Sequence, residues 1–125
     1  MVSFVIRFYW LFTLVLIVLI TALSLWPVAQ LPAVPGSDKT HHFIAYGALV
    51  FPCALHFISL KNWLRLSVFT LIFVVYSGVI ELIQPYVNRY GEWLDLAANS
   101  LGLLCGITLA WLILRIFKPL TKTIT

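Results

Sequence analysis

Three short polar series interrupt an otherwise apolar chain. Asp38, His42 and Tyr46 stand at i, i+4 and i+8. Ser77, Glu81 and Gln84 stand at i, i+4 and i+7. Asp95, Asn99, Gly102 and Gly106 stand at i, i+4, i+7 and i+11. On an α-helix, residues three, four or seven apart share a face, so each series is a stripe. The side chains include an imidazole and three carboxylates, and three chemistries fit them. His42 paired with Asp95 or Glu81 suits general acid–base catalysis, the carboxylate orienting the ring. Lys39, Arg89 and the N-terminal end of the helix beginning near Asp38 suit recognition of a phosphate or carboxylate. His42, Glu81 and Asp95 are ordinary ligands for a divalent metal. Yet one histidine and two acids from three helices, with no HExxH pattern, are nonspecific. No metal and no cofactor are therefore expected.

Other reactive residue types carry less. Ser77 lies about two turns inside its apolar run, with nothing to activate it as a nucleophile. Cys53 and Cys105 lie deep in apolar stretches and read as small buried hydrophobes rather than a disulfide. His41 points about 100° from His42 on a helix, and His56 lies near the far end of the same run. Both are left outside the site.

The elements that carry the stripes follow from composition. Of the 125 residues, 62% are hydrophobic and 10% charged, and the mean hydropathy is +1.05. A soluble domain of this size buries only about two-thirds of its unfolded surface, so it cannot hide that much apolar area. A disordered chain must be apolar-poor. Two cysteines exclude a disulfide scaffold and a cysteine-rich zinc module. The expectation is one small all-α membrane domain, a bundle of four transmembrane helices over about 8–26, 41–60, 63–84 and 93–117. Each run approaches the ~20 apolar residues a bilayer requires. The first run is long for a cleaved signal core and is taken as retained. A β-barrel is disfavoured because the runs are continuous rather than alternating. Ser37 or Asp38 can cap the second helix, Pro52 should kink it, and Pro85 should end the third.

Charge sets the orientation. Arg7, Lys61, Arg65, Arg115, Lys118 and Lys122 fall on one side of such a bundle, and Lys39 and Arg89 on the other. The bias places both termini in the cytoplasm. All four acids, Asp38, Glu81, Glu92 and Asp95, then lie at or near the outer side. The net charge of +4 comes from residues scattered singly beside apolar runs, which argues against nucleic acid as a partner. Trp26, Trp93, Tyr86 and Tyr90 suit the outer interface, and Trp10 and Trp63 the inner one.

Polar groups within a bilayer favour facing one another over facing lipid. Glu81 would meet Arg89, Lys39 or His42, and Gly102-x-x-x-Gly106 would let another helix approach closely. If the stripes converge, they form one pocket opening outward. Such a cluster can be simple interhelical glue, but this one holds more polar groups than packing needs.

The order Asp38-Lys39-x-x-His42-Phe43-x-x-Tyr46, Glu81-x-x-Gln84, Arg89, Asp95-x-x-x-Asn99-x-x-Gly102-x-x-x-Gly106 resembles the VanZ-like family over about residues 37–106. These are small bacterial membrane proteins named after an accessory protein of glycopeptide resistance clusters. The resemblance implies that Asp38, Lys39, His42, Glu81, Gln84, Arg89, Asp95 and Asn99 are signature positions. The family's name-giving member is associated with lowered teicoplanin sensitivity, and a helical bundle with basic inner flanks suits the bacterial cytoplasmic membrane. The resemblance assigns no reaction. The leading expectation is recognition of an anionic envelope molecule, a lipid head group or lipid-linked precursor, by Asp38, Lys39, His42, Tyr46, Glu81, Gln84, Arg89, Asp95 and Asn99. The alternatives are an enzyme using a His42–carboxylate pair, an oligomeric transporter with Glu81 or Asp95 as proton carrier, and a scaffold beside another membrane protein. The bilayer is the expected partner, with a homo-oligomer or membrane-protein partner compatible with the sequence.

Overall fold

A computed structural model describes residues 1–27 and 36–117, and the described residues are helical with short connections. Helix α1 covers Val2–Arg7 and α2 covers Tyr9–Leu25. The expected first run is therefore preceded by a short helix, with the break at Phe8 (φ −110°, ψ 25°). Trp26 is extended (ψ 138°), as a residue before proline prefers. Helix α3 covers Asp38–Ser59, starting at Asp38 rather than His41. Ser37 caps it, its side chain accepting from the Thr40 backbone N–H at 3.2 Å, and Asp38 adds a negative charge to the first turn, where the helix dipole favours one. The helix continues through the buried Pro52.

Asn62 caps α4, Trp63–Ile83. A single 3-10 turn, Gln84–Val87, follows with Pro85 near its start, and Asn88 reverses the chain in a left-handed conformation (φ 58°). Helix α5 covers Trp93–Ile116. The residues from 28 to 35, and Lys118 and Lys122, lie outside the described residues.

Side-chain pairs fix how the helices run. Ile6 meets His56, Thr13 meets Cys53, and Thr21 meets Tyr76. Helix α2 is thus antiparallel to α3 and parallel to α4. His42 pairs with Asn99 and Gly47 lies against Gly102, so α3 and α5 are parallel. One end gathers residues 23–26, 38–42 and 84–95. The other gathers residues 6–9, 56–65 and the end of α5.

Helix α3 is the centre. Leu49, Val50, Cys53 and Ala54 are fully buried among Ile20, Phe73, Leu103, Ala110 and Leu114. Its most extensive partner is α5, and small residues make that approach possible. A Cβ on Gly102 would run into the Phe43 carbonyl, and one on Gly106 into the Gly47 carbonyl and Val50.

The outward faces are as apolar as the core. Leu64, Leu71, Val75, Leu82, Leu101 and Leu104 are all exposed. Helices Asp38–Ser59 and Trp93–Ile116 and the segment Trp63–Val87 are long and apolar enough to cross a membrane, while the apolar helix Tyr9–Leu25 is shorter. An apolar exterior on helices of this length suits lipid as solvent. Trp10, Trp26, Trp63, Tyr86, Tyr90 and Trp93 are exposed near helix ends. One expectation is corrected. Cys53 is buried, but Cys105 is exposed on the outward face of α5, because Gly102 and Gly106 take the inward face of that turn.

Candidate functional site

The three stripes meet at the end of the molecule that carries the acids. Asn99 is the junction and is 1% exposed. Its Nδ2 donates to Ser77 Oγ on α4 at 2.6 Å, and its Oδ1 faces His42 Nδ1 on α3 at 2.9 Å. An amide oxygen only accepts, so His42 Nδ1 carries the hydrogen. The lone pair of the neutral ring is then on Nε2. That atom stands 3.6 Å from Asp38 Oδ2 and 3.8 Å from Asp95 Oδ2, both beyond hydrogen-bond distance. His42 and Asp95 are buried, whereas the Asp38 side chain is 60% exposed. Helical spacing produces this arrangement. Asp38 is one turn before His42 on α3, and Asp95 is one turn before Asn99 on α5.

Lys39 closes the exposed side. Its Nζ donates to Glu92 Oε2 at 2.9 Å and stands 3.5 Å from Asp95 Oδ1. The Asp95 Oδ1 atom is buried and accepts no hydrogen bond. Glu81 turns toward the start of α5, where its Oε2 accepts from the Glu92 backbone N–H at 3.1 Å. This satisfies one of the free N–H groups at that helix start. Its Oε1 is buried without a partner.

The remaining expected residues divide. Tyr46 is buried with its ring 6.2 Å from that of Tyr76, and its hydroxyl makes no hydrogen bond. Gln84 and Arg89 lead elsewhere. Gln84 Nε2 donates to the Ser24 carbonyl at 3.2 Å. Arg89 Nη1 donates to the Leu23 and Trp26 carbonyls at 3.1 and 3.2 Å. Both side chains close the C-terminal end of α2, where helix carbonyls lack partners and positive charge is favoured. The expected contact of Glu81 with Arg89 is not among the ion pairs of the described residues, and Glu81 has the Glu92 backbone as its partner.

Two residues outside the expected set enter the network. Ser77 joins Asn99, and Glu92 joins Lys39. Their signals were present: Ser77 is one turn before Glu81, and Glu92 is three residues before Asp95. His56 lies apart, bonded to the Ile6 carbonyl at 3.0 Å and stacked on Tyr9.

Chemically, this end offers an oriented imidazole nitrogen between two carboxylates, one buried and one exposed. Among the described residues this end holds four acids, Asp38, Glu81, Glu92 and Asp95, and Lys39 stands beside two of them, Glu92 and Asp95. No family model, curated protein or solved structure matches the chain.

Proposed function

We propose that the protein is a multi-pass protein of the bacterial cytoplasmic membrane whose outer polar end acts on an envelope molecule, a lipid head group or lipid-linked precursor. In this reading Tyr9–Leu25 is the fourth span and both termini are cytoplasmic. The separation of Arg7, Lys61, Arg65 and Arg115 from the four acids supports that orientation. The motif order supports a VanZ-like assignment, and with it a test of teicoplanin sensitivity.

The observation that carries the reading is the buried chain His42–Asn99–Ser77 beside the buried carboxylate of Asp95. Packing alone does not require an imidazole nitrogen aimed at two carboxylates. Reaction is better supported than anion capture. Arg89 is bonded to the end of α2 and Lys39 to Glu92, whereas His42 Nε2 is held where it can accept or deliver a proton. Asn99 positions the ring, and Asp38 and Asp95 stabilise its charged form during transfer.

The test compares membrane lipids and cell-wall precursors by mass spectrometry in cells with wild-type protein, none, or His42→Gln inserted at equal level. A species that changes mass on deletion, with His42→Gln matching the deletion, supports an enzyme and names its substrate. An unchanged inventory with wild-type protein present or absent overturns the catalytic reading.

A further inference from the structure

Beyond this function, and as an alternative use of the same His42 nitrogen that would replace its free proton transfer, we propose that Asp38, His42 and Asp95 bind a divalent transition-metal cation, Zn²⁺ or Mn²⁺. One ligand atom from each residue lies within 4.8 Å of the others. Two of the three side chains are buried. The site is built on helices rather than on a mobile loop, with Asp38 and His42 one turn apart on α3 and Asp95 on the adjacent turn of α5.

The argument rests on what the atoms face. In the neutral ring His42 Nε2 bears the lone pair, because Nδ1 donates to Asn99. It points at two carboxylate oxygens, which are also acceptors. Three acceptors turned toward one another favour a positive centre between them. A shared proton would draw one pair to about 2.7–2.9 Å, but the separations are 3.6 and 3.8 Å. Ligand atoms on a metal at ~2.0–2.2 Å stand roughly 3.0–3.6 Å from one another. A small rotation of the exposed Asp38 side chain closes the set.

The other oxygen of the buried Asp95 carboxylate faces away from this set. Asp95 Oδ1 is buried without a hydrogen bond, and the residue is 2% exposed. Lys39 Nζ, 3.5 Å away, neutralises that oxygen from outside and leaves Oδ2 for the metal. His42 is backed by Asn99 through its other nitrogen, the outer-shell support typical of metal-bound histidine. One imidazole with two carboxylates suits Zn²⁺ or Mn²⁺. Mg²⁺ prefers oxygen ligands and retains its waters. Three protein ligands leave a coordination position for water or a head-group oxygen on the exposed Asp38 side.

The experiment uses tag-free full-length protein in detergent, stripped with chelator and dialysed against Zn²⁺, Mn²⁺ or Mg²⁺ alone. Metal content is read by mass spectrometry and affinity by competition with a chromogenic chelator. One Zn²⁺ or Mn²⁺ per chain, with no stoichiometric Mg²⁺, is expected. Asp38→Asn should weaken binding at least about tenfold, and Asn99→Ala by about 10–100-fold through the ring it orients. His42→Gln should abolish stoichiometric binding, and His56→Gln should leave it unchanged. Asp38 is exposed at a helix start, so its variant reads binding without disturbing the buried network. Absence of stoichiometric Zn²⁺ and Mn²⁺ from the wild type overturns the proposal. Wild-type affinity in both Asp38→Asn and His42→Gln does so as well. Neither result depends on whether an envelope molecule is a substrate.

Discussion

His42 and Asn99 are bonded across α3 and α5 at 2.9 Å, and that bond determines which face of the imidazole is available. Asn99 spends its amide hydrogens toward Ser77 and its oxygen toward His42. The polar network of the helix interfaces thus selects the tautomer at the acidic end. Structural and chemical roles meet in one side chain.

Asn99→Leu should destabilise the protein by about 1–3 kcal/mol, because His42 Nδ1–H and Ser77 Oγ are left buried and unpaired. The double variant with Ser77→Ala should lose less than the sum of the two single changes, by about 0.5–2 kcal/mol. Thermal melts in detergent measure the cycle. Strict additivity would show that the 2.6 Å contact carries no coupling.

Gly106→Val should cost about 1–3 kcal/mol or more through overpacking, since its Cβ meets the Gly47 carbonyl. Gly78→Ala, with nothing within 4 Å of the added atom, should leave the melting temperature unchanged or raise it slightly. Equal melting temperatures for the two variants would contradict the observed α3–α5 packing.

Arg89→Ala should act on α2 rather than on the acidic end. It removes the donors to Leu23 and Trp26, a loss of about 1 kcal/mol at this partly exposed site. Hydrogen exchange should rise in the last turn of α2 and remain unchanged around Asn99. A loss of activity at unchanged exchange would instead return Arg89 to the site.

The cysteines give a test of lipid exposure. Cys105 should react with a membrane-permeant, apolar maleimide in native membranes, and Cys53 should not until the protein is unfolded. Labelling of Cys53 alone would invert the assigned faces of α3 and α5.

Much of this architecture was legible in the residues. Long apolar runs ended by Pro27 and Pro85, and the Ser37 cap, marked the helices to within a few positions. The convergence of stripes followed from helical spacing and from the cost of polar groups in lipid, and it located His42, Asp95 and Asn99 together. What spacing does not encode is the partner of a long, flexible side chain. Arg89 and Gln84 lie close in sequence to the acids, but they bond to α2 carbonyls that no motif announces. Cys105 departs from the expected burial for a related reason. An apolar helix facing lipid has no polar side, so only the glycine positions reveal its inner face. The place of Asp38 in the stripe assigns it to the site. Its proximity to His42 Nε2 depends on α3 beginning at Asp38 rather than at His41.

The turn between α4 and α5 has a consequence of its own. Asn88 reverses the chain, and the backbone of Gly91 then passes so close to the Glu81 carbonyl that a Cβ would not fit. This places Glu92 where its N–H reaches Glu81 and its carboxylate reaches Lys39. The turn Leu60–Asn62 at the opposite end touches none of these groups. The two connections therefore differ in how they tolerate added length. A fluorescent domain or epitope spliced in at Lys61 disturbs only local capping, whereas one extra residue at 89–91 shifts the register between two helices and separates the acids. The former is the place to attach a reporter, and natural variation in loop length should concentrate there.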